Sequence, residues 1–386
     1  MSSQSITAAS YGERLRGTQV AVEGAGVGAL LIGVGPELQW LIGYAAMPLE
    51  RLTMLVVPAR GRATLLVPRL EMSAALAAAG VAAGLVELVT WLELEDPTSL
   101  VADLVRAGDT TGPSRVLVSD GLRSAFLLRL QAGLPDRRFD IASPLISPLR
   151  RIKDAHEIEL LRRAAHAADR TVLGIAAGRL VGRTEADVAR EVRERLVSEG
   201  HDEAVFWIVA SGPESASPHH EASQRVIAAG EPIVIDIGGR IGGYHSDITR
   251  TAWVTGGDAA KGPDDTFRNL YRLVQVAQAA GRAAVRPGIA PQDLDRVARG
   301  IIEAGGYGEQ FFHRLGHGIG LEGHEDPYLV EGNVDPLQVG DAFSIEPGIY
   351  LEGRYGARIE DIAVCGTAGA DTLNEATREL MMVSGV

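Results

Sequence analysis

The chain has 386 residues, a formal net charge of −13 and a single cysteine, Cys365. The acidic balance argues against a nucleic-acid binder, which needs a basic footprint. Hydrophobic residues make up 46% of the chain, a globular composition with ample material for a large core. A lone cysteine forms no internal disulfide, which suggests a reducing compartment. The opening "MSSQSITAASYGERLRG" lacks a basic start followed by an apolar run. The longest apolar run, 74–86, is too short to span a bilayer. A cytoplasmic protein with no membrane partner and no nucleic-acid partner is the expectation.

In chain order, "GALLIGVG", "LTMLVVPA", "ATLLVPRL" and "RVLVSD" read as buried strands. Between them, 71–79, 98–106 and 121–132 have helical spacing. This alternation predicts an α/β domain over 1–150, closed by "ASPLISPLR", whose Pro144 and Pro148 read as a linker. Asp154 and Glu157 then form a capping pair for a helix carrying Ile158, Leu161, Ala165 and Ala168 on one face. A second domain, 151–386, begins there.

That domain contains a repeat. "GRTEADVAREVRERLVSEGHDE" from Gly182 aligns without gaps with "GIAPQDLDRVARGIIEAGGYGE" from Gly288, at an offset of 106 and with six of 22 positions identical. Each copy reads as an amphipathic helix stopped by glycine. The pattern predicts two similar α+β halves about a pseudo-two-fold axis, with a site between them.

Each half carries two carboxylates. Asp236 interrupts the apolar run Ile233–Ile237, where a buried carboxylate is costly unless a partner neutralises it. "GGRIGG" follows, then a second strand with Asp247 in it, although Asp247 also suits plain turn chemistry. Glu346 ends an apolar strand before a Pro-Gly turn signal, and Glu360 lies in the strand-like "ARIEDIAV". Alternation puts Glu360 and Asp361 on opposite faces, so one of them is expected to face solvent. A surface hairpin with charged tips is the competing reading of this pair. Four converging carboxylates repel one another without a cation. With His317 they make an oxygen-rich set suited to two divalent metals, Mn²⁺ first, with Co²⁺, Fe²⁺ or Zn²⁺ open. "HRLGHGIGLEGHED" is no zinc helix, because its glycines and Pro327 break helical geometry; it reads as loop or edge strand. His313 there reads as a polar loop residue, and Phe206 and Trp207 read as ordinary core, with a place in a pocket wall as the alternative.

The stretches "VASGPESASPHH", "VIDIGGRIGGYHSDITRT", "GHGIGLEGHEDP", "SIEPGIYLEG" and "ARIEDIAV", in this order, resemble the creatinase/prolidase/aminopeptidase P family, the pita-bread metallopeptidases. "WLIGYAAMPLERLTMLVVP" with "LLVPRLE" is similar to the family's N-terminal domain, so the resemblance covers nearly the whole chain. It implies a C-terminal pita-bread fold of duplicated halves behind a smaller creatinase-like α/β domain. It implies five metal ligands, Asp236, Asp247, His317, Glu346 and Glu360, holding two divalent ions. It further implies substrate-side histidines at His219 and His324, with His220 an alternative to His219. Arg358 would orient the last glutamate or bind a substrate carboxylate. The implied reaction is hydrolysis of Xaa-Pro bonds by a hydroxide bridging the metals, with Glu346 the proton acceptor and a peptide bearing proline at P1′ as substrate. A homodimer or homotetramer is implied as well. Dipeptidase and aminopeptidase activities stay open. So do action on a small non-peptide C–N or related bond and a non-catalytic peptide-binding role, although five intact ligands argue against the last.

Overall fold

The computed structural model describes residues 6–108 and 115–386. The chain divides into two compact units, Met1–Arg150 and Arg151–Val386.

The first unit runs α1 (Ala8–Gly24), β1 (Val27–Ile32), α2 (Pro36–Ile42), β2 (Met54–Pro58), β3 (Thr64–Pro68), α3 (Met72–Ala77), α4 (Ala79–Ala82), β4 (Glu87–Trp91), α5 (Pro97–Gly108), β5 (Arg115–Val118), α6 (Ser124–Gly133), β6 (Arg138–Ile141) and α7 (Ser143–Arg150). Its six strands form one mixed sheet in the order β4-β3-β2-β1-β5-β6. The four strands expected from apolar runs are its middle. The two not foreseen, β4 and β6, are its edges, where fewer side chains need to be apolar. The expected linker "ASPLISPLR" is instead mostly helix α7. Pro144 falls in the first turn, whose N–H groups have no intrahelical acceptor, and Pro148 removes one bond from a short helix. Buried Ile146 anchors that helix, and Arg150 Nη1 donates to Glu37 at 3.0 Å.

The second unit opens with α8 (Ala155–Ala176) and α9 (Glu185–Ser198), followed by β7 (Glu203–Ser211), β8 (Glu231–Ile241), β9 (Tyr244–His245) and β10 (Ile248–Val254). It repeats the plan with α10 (Asp265–Ala284), α11 (Pro291–Ala304), β11 (Gly316–Gly318), β12 (Glu325–Leu329), β13 (Ala342–Ile345), β14 (Gly348–Leu351), β15 (Tyr355–Arg358), β16 (Asp361–Gly366) and β17 (Gly369–Thr372), and ends in β18 (Met381–Val383). The capping box at Asp154 and Glu157 is formed as read. Helix α11 starts and stops 106 residues after α9, the offset of the sequence repeat. Gly200 and Gly306 end the two helices in positive-φ backbone, at 121° and 85°. The fold is the expected pita-bread pair of α+β halves, one with sheet order β18-β10-β8-β7 and one with order β12-β11-β13-β16-β17.

Strand alternation decides what each face does. In β8, Ile233, Ile235 and Ile237 enter the apolar core shared with Val172, Val188 and Val192 of the helices. Each such burial contributes roughly 1.5–3 kcal/mol. Asp236 therefore points the other way. In β13, Phe343 and Ile345 enter the second half's core, which leaves Ser344 and Glu346 on the opposite face.

The halves are stitched together by a buried cation. Arg250 on β10 and Asp361 on β16 are both 0% exposed, and Nη2 donates to Oδ1 at 2.7 Å. The guanidinium also donates to the carbonyls of Thr249, Glu360, Ala376 and Thr377. The second oxygen of Asp361 accepts from Gln278 of α10 and from Arg378. The expectation that Glu360 or Asp361 faces solvent is thus wrong, since both are buried. Alternation does separate them, but helix α10 covers the second face. Arg250→Met or Asp361→Asn is expected to cost about 3–5 kcal/mol, the loss on stranding one partner of a buried pair. Denaturant unfolding measures it; a loss of about 0–1 kcal/mol, as for a surface pair, would show that the pair does not hold the seam.

Candidate functional site

The pairing register brings the two aspartates together. Asp236 lies opposite Thr249 in the β8–β10 ladder. Asp247 is two residues before Thr249 and so shares its face, one diagonal step from Asp236. It sits just before β10 and not within it. Nor does "GGRIGG" form one turn. Gly238 and Gly239 are extended within β8, and a Cβ on Gly238 would lie 2.3 Å from Phe206 and from the Ser246 carbonyl. The turn is at Gly242 and Gly243, with φ of 59° and 89°.

The two glutamates meet by the same rule. Ile345 pairs with Asp361, so the next residues outward, Glu346 and Glu360, face one another across the base of the β14–β15 hairpin. Glu360 lies in the link between β15 and β16, a correction to its expected place in a strand. Its Oε2 accepts from the Thr249 hydroxyl at 2.7 Å, and its N–H donates to the Thr249 carbonyl at 3.1 Å. One threonine thus binds the glutamate of one half to the strand of the other.

His317 occupies β11, which runs between β12 and β13 and is not an edge. Its flanking glycines are needed for close packing. A Cβ on Gly316 would lie 2.0 Å from the Ser344 carbonyl, and one on Gly318 would lie 2.2 Å from the Asp326 carbonyl. His317 Nδ1 donates to the Gly318 carbonyl at 3.1 Å, which leaves Nε2 as a lone-pair donor 3.3 Å from Glu346 and 3.7 Å from Asp247. A main-chain acceptor on the other ring nitrogen is the usual companion of a metal-binding imidazole. Burial, with His324 alongside, lowers its pKa to about 3, so the ring is neutral.

The donor atoms fall into overlapping groups, each within 4.8 Å: Asp236, Asp247 and Glu360; His317, Glu346 and Glu360; Asp247, His317 and His324. Arg358 faces the carboxylates and donates to Asp236 Oδ2 at 2.5 Å, to Thr249 Oγ1 at 2.9 Å and to the Tyr350 hydroxyl at 2.7 Å. The expectation had Arg358 orienting Glu360; the carboxylate it holds is instead that of Asp236. Burial, then repulsion from Asp236 and Glu346, raises Asp247 well above the carboxylate range. Burial, then Asp247 and Glu346, does the same to Glu360. Burial raises Glu346 to about 7. The guanidinia of Arg358 and Arg314 that line the site do not balance four carboxylates in such a place. Asp236 Oδ1 is also buried without a hydrogen-bond partner. A dense, thiolate-free oxygen set with an orphaned acceptor and a neutral imidazole fits divalent cations, and the sharing of Glu360 between groups fits two of them.

These groups line a cavity of about 790 Å³. His219 lines it too. His220 turns away, and its Nε2 pairs with the buried Glu185 at 2.8 Å, so the cavity histidine of the pair is His219. His324 stacks on His317 with ring centroids 3.8 Å apart. Its Nδ1 accepts from Arg314 at 3.3 Å, which assigns the proton to Nε2. His313 does lie in a loop, as read, but its ring is engaged on both sides: Nδ1 donates to the Arg314 carbonyl at 2.8 Å and Nε2 meets the Tyr350 hydroxyl at 3.1 Å. Because that hydroxyl accepts from Arg358, its proton points to His313. The reading of Phe206 as core is corrected. Phe206 lines the cavity with Val205 and Phe312, while Trp207 packs partly against the core. In the β7–β8 register Ile208 pairs with Asp236 and Trp207 with Ile237, so alternation puts Phe206 on the carboxylate face and Trp207 on the core face. Thr249, Ser344, Tyr350 and Arg314 were not singled out from sequence. All four stand inside the quoted stretches, but their partners are distant in the chain or unreadable from local pattern.

Gly316→Ala is expected to destabilise the chain by about 1–3 kcal/mol, the usual cost of overpacking. Thermal melting reads the loss, and an unchanged melting temperature would show that β11 has room to shift.

Residues 14–152 match the model of the Creatinase/Prolidase N-terminal domain, and residues 159–367 match that of metallopeptidase family M24. A probable dipeptidase PepE of Mycobacterium tuberculosis is 41% identical over 384 residues, covering 99% of each chain. A Xaa-Pro dipeptidase of Lactobacillus helveticus is 34% identical over 351 residues, covering 90% of this chain and 92% of that one. The crystal structure of dipeptidase PepE from Mycobacterium ulcerans superposes with a TM-score of 0.91 at 42% identity, covering 98% of this chain and 99% of that one. An N-terminal domain of the creatinase/prolidase type followed by this carboxylate-lined fold makes the chain a member of metallopeptidase family M24.

Proposed function

We propose that this protein is a Xaa-Pro dipeptidase, with 1–150 as an accessory domain and 151–386 as the catalytic domain. Asp236, Asp247, His317, Glu346 and Glu360 would hold two divalent cations, Mn²⁺ by preference for an oxygen-rich site. The observation that carries the reading is the pair of overlapping donor groups sharing Glu360, in a cavity where four carboxylates meet only two guanidinia, those of Arg358 and Arg314. Membership of a metallopeptidase family supports it, as does the likeness to a protein named Xaa-Pro dipeptidase. When bound, such cations supply Lewis-acid polarisation and acidify water enough for hydrolysis near neutral pH.

The chain's own groups do the rest. Glu346 takes the proton of the attacking water on its carboxylate and delivers it to the prolyl nitrogen as the C–N bond breaks. The Ser344 hydroxyl, donating to Glu346 Oε1 at 3.1 Å, keeps that carboxylate in place. His324 donates Nε2–H to the scissile carbonyl oxygen as negative charge develops there. His219 holds the prolyl side of the substrate. Arg358 fixes Asp236 and passes its influence through Tyr350 to His313. Phe206, Phe312 and Val205 offer an apolar wall for a ring. An Xaa-Pro bond has no N–H, so such a wall leaves no donor unsatisfied. No helix among the described residues is long and apolar enough to cross a membrane. The proposal places the enzyme in the cytoplasm, as a homodimer or homotetramer that light scattering would resolve.

Dialysis against a chelator is expected to abolish cleavage of Xaa-Pro dipeptides, and Mn²⁺ to restore it; turnover surviving complete metal removal would overturn the metal reading. Glu346→Gln is expected to lower kcat by about 10²–10⁴-fold, the contribution of a positioned acid–base group. A panel of Xaa-Pro dipeptides, Xaa-Pro-Yaa peptides and small amides should show turnover of the dipeptides first. Preference for small amides would favour the non-peptide reading.

A further inference from the structure

The loop between β7 and β8 carries His219, and a buried carboxylate with no part in the proposed chemistry gathers that loop from three points. Glu185 is the first residue of α9 and is 0% exposed. Its Oε1 accepts from the Ser211 N–H and hydroxyl, both at 2.7 Å. Its Oε2 accepts from the Ser223 hydroxyl at 2.7 Å, the Ser223 N–H at 3.1 Å and His220 Nε2 at 2.8 Å. Ser211 begins the loop, Ser223 lies where it returns, and His220 follows His219 directly. Burial by itself raises this carboxyl, but the bonds from His220, Ser223 and Ser211 outweigh it and hold the group ionised. The position at a helix N-terminus favours the same charge.

The other side of His219 is tied to the site. The Pro218 carbonyl accepts from Arg358 Nη2 at 3.4 Å, and Ser215 Oγ accepts from the Gly356 N–H at 2.9 Å. His219 therefore stands between a residue held by Arg358 and a residue held by Glu185. Its own ring lines the cavity, so its backbone must supply the restraint. Main-chain bonds at the base of α9 do not reach it. The N–H groups of Glu185 and Ala186 donate to the Arg225 and Ser223 carbonyls, which secures only the returning limb.

We infer that Glu185 is a positioning residue: it pins the 211–223 loop through Ser211, His220 and Ser223, and so presents His219 to the substrate. The inference rests on the proposed peptidase reading only for the choice of substrate. A glutamine at 185 keeps the shape but turns donors toward donors, since all five contacts of the carboxylate are accepted hydrogen bonds.

The test pairs activity with a readout that needs none. In the metal-loaded protein, Glu185→Gln is expected to speed hydrogen exchange of 212–222 and to lower kcat/KM on an Xaa-Pro dipeptide by about 10–100-fold, the range for partners that orient a site side chain. His219→Ala is expected to fall similarly, and the double variant to be no worse than His219→Ala alone, with Glu185→Asp recovering part of the loss. Losses that multiply in the double variant, or unchanged exchange over 212–222, would overturn the inference. If Glu185→Gln does not fold, Ser223→Ala and His220→Gln are combined with His219→Ala in its place: losses that do not multiply support the pinning role, and losses that multiply overturn it. Should the parent cleave no Xaa-Pro bond, the peptidase reading falls, and the exchange measurement still decides whether Glu185 pins the loop.

Discussion

The site exists because a fully buried guanidinium fixes where two half-sheets meet. Arg250 satisfies carbonyls from both halves and the carboxylate of Asp361, 111 residues away in the chain. Thr251 and Arg358 add a reciprocal pair of bonds at the same seam, at 2.9 and 3.1 Å. A seam built from hydrogen bonds to a charge tolerates little sliding, because any slip strands a buried ion or carbonyl. A purely apolar seam would be held by area, which is indifferent to direction. Here the direction matters: Thr249, next to Arg250, places Glu360 opposite Asp236.

The same seam accounts for an arrangement that would otherwise oppose folding. Four carboxylates share one buried face; burial, then repulsion from their neighbours, raises Asp247, Glu346 and Glu360, and Arg358 answers only part of the charge. The protein tolerates this because the charges lie on the face away from the helices, while apolar residues of the same strands fill the cores behind them. Binding of divalent cations would then contribute to stability as well as chemistry, since ions that bind only the assembled site favour the folded state. Each of the three imidazoles of this stretch has at least one nitrogen engaged by a neighbour. His317 uses Nδ1 on a carbonyl, His313 uses both nitrogens, and His324 receives Arg314. Three histidines within twelve residues are therefore chemically distinct.

Much of this is legible in the sequence. An aspartate between isoleucines carries its own warning, and Asp236 lies where alternation puts it. The repeat at an offset of 106 marks two helices that begin and end in step. Other features escape a sequence reading for identifiable reasons. Asp361 looks solvent-facing because its partners, Arg250, Gln278 and Arg378, are scattered along the chain. His313 looks like loop chemistry because Tyr350 lies 37 residues on. Phe206 looks like core because its apolar side chain does not say which face of β7 it takes; the pairing with β8 puts it on the face of Asp236. The proline pair looks like a linker because its rule concerns helix interiors, and α7 is hardly longer than its own first turns.

By itself the sequence determined which residue types were available to the chemistry, the order of the strands and helices that carry them, and the division of each strand into a core face and a second face. Those follow from local periodicity and from the cost of burying charge, which act over a few residues. Only the tertiary structure decided that the second faces of the two halves look at each other, that Glu360 is shared between donor groups, that His219 and not His220 enters the cavity, and that Glu185 gathers the loop beside it. These depend on pairings between residues tens to hundreds of positions apart. No local pattern encodes such pairings, because they are selected by the joint satisfaction of buried hydrogen bonds and charges once the halves have packed.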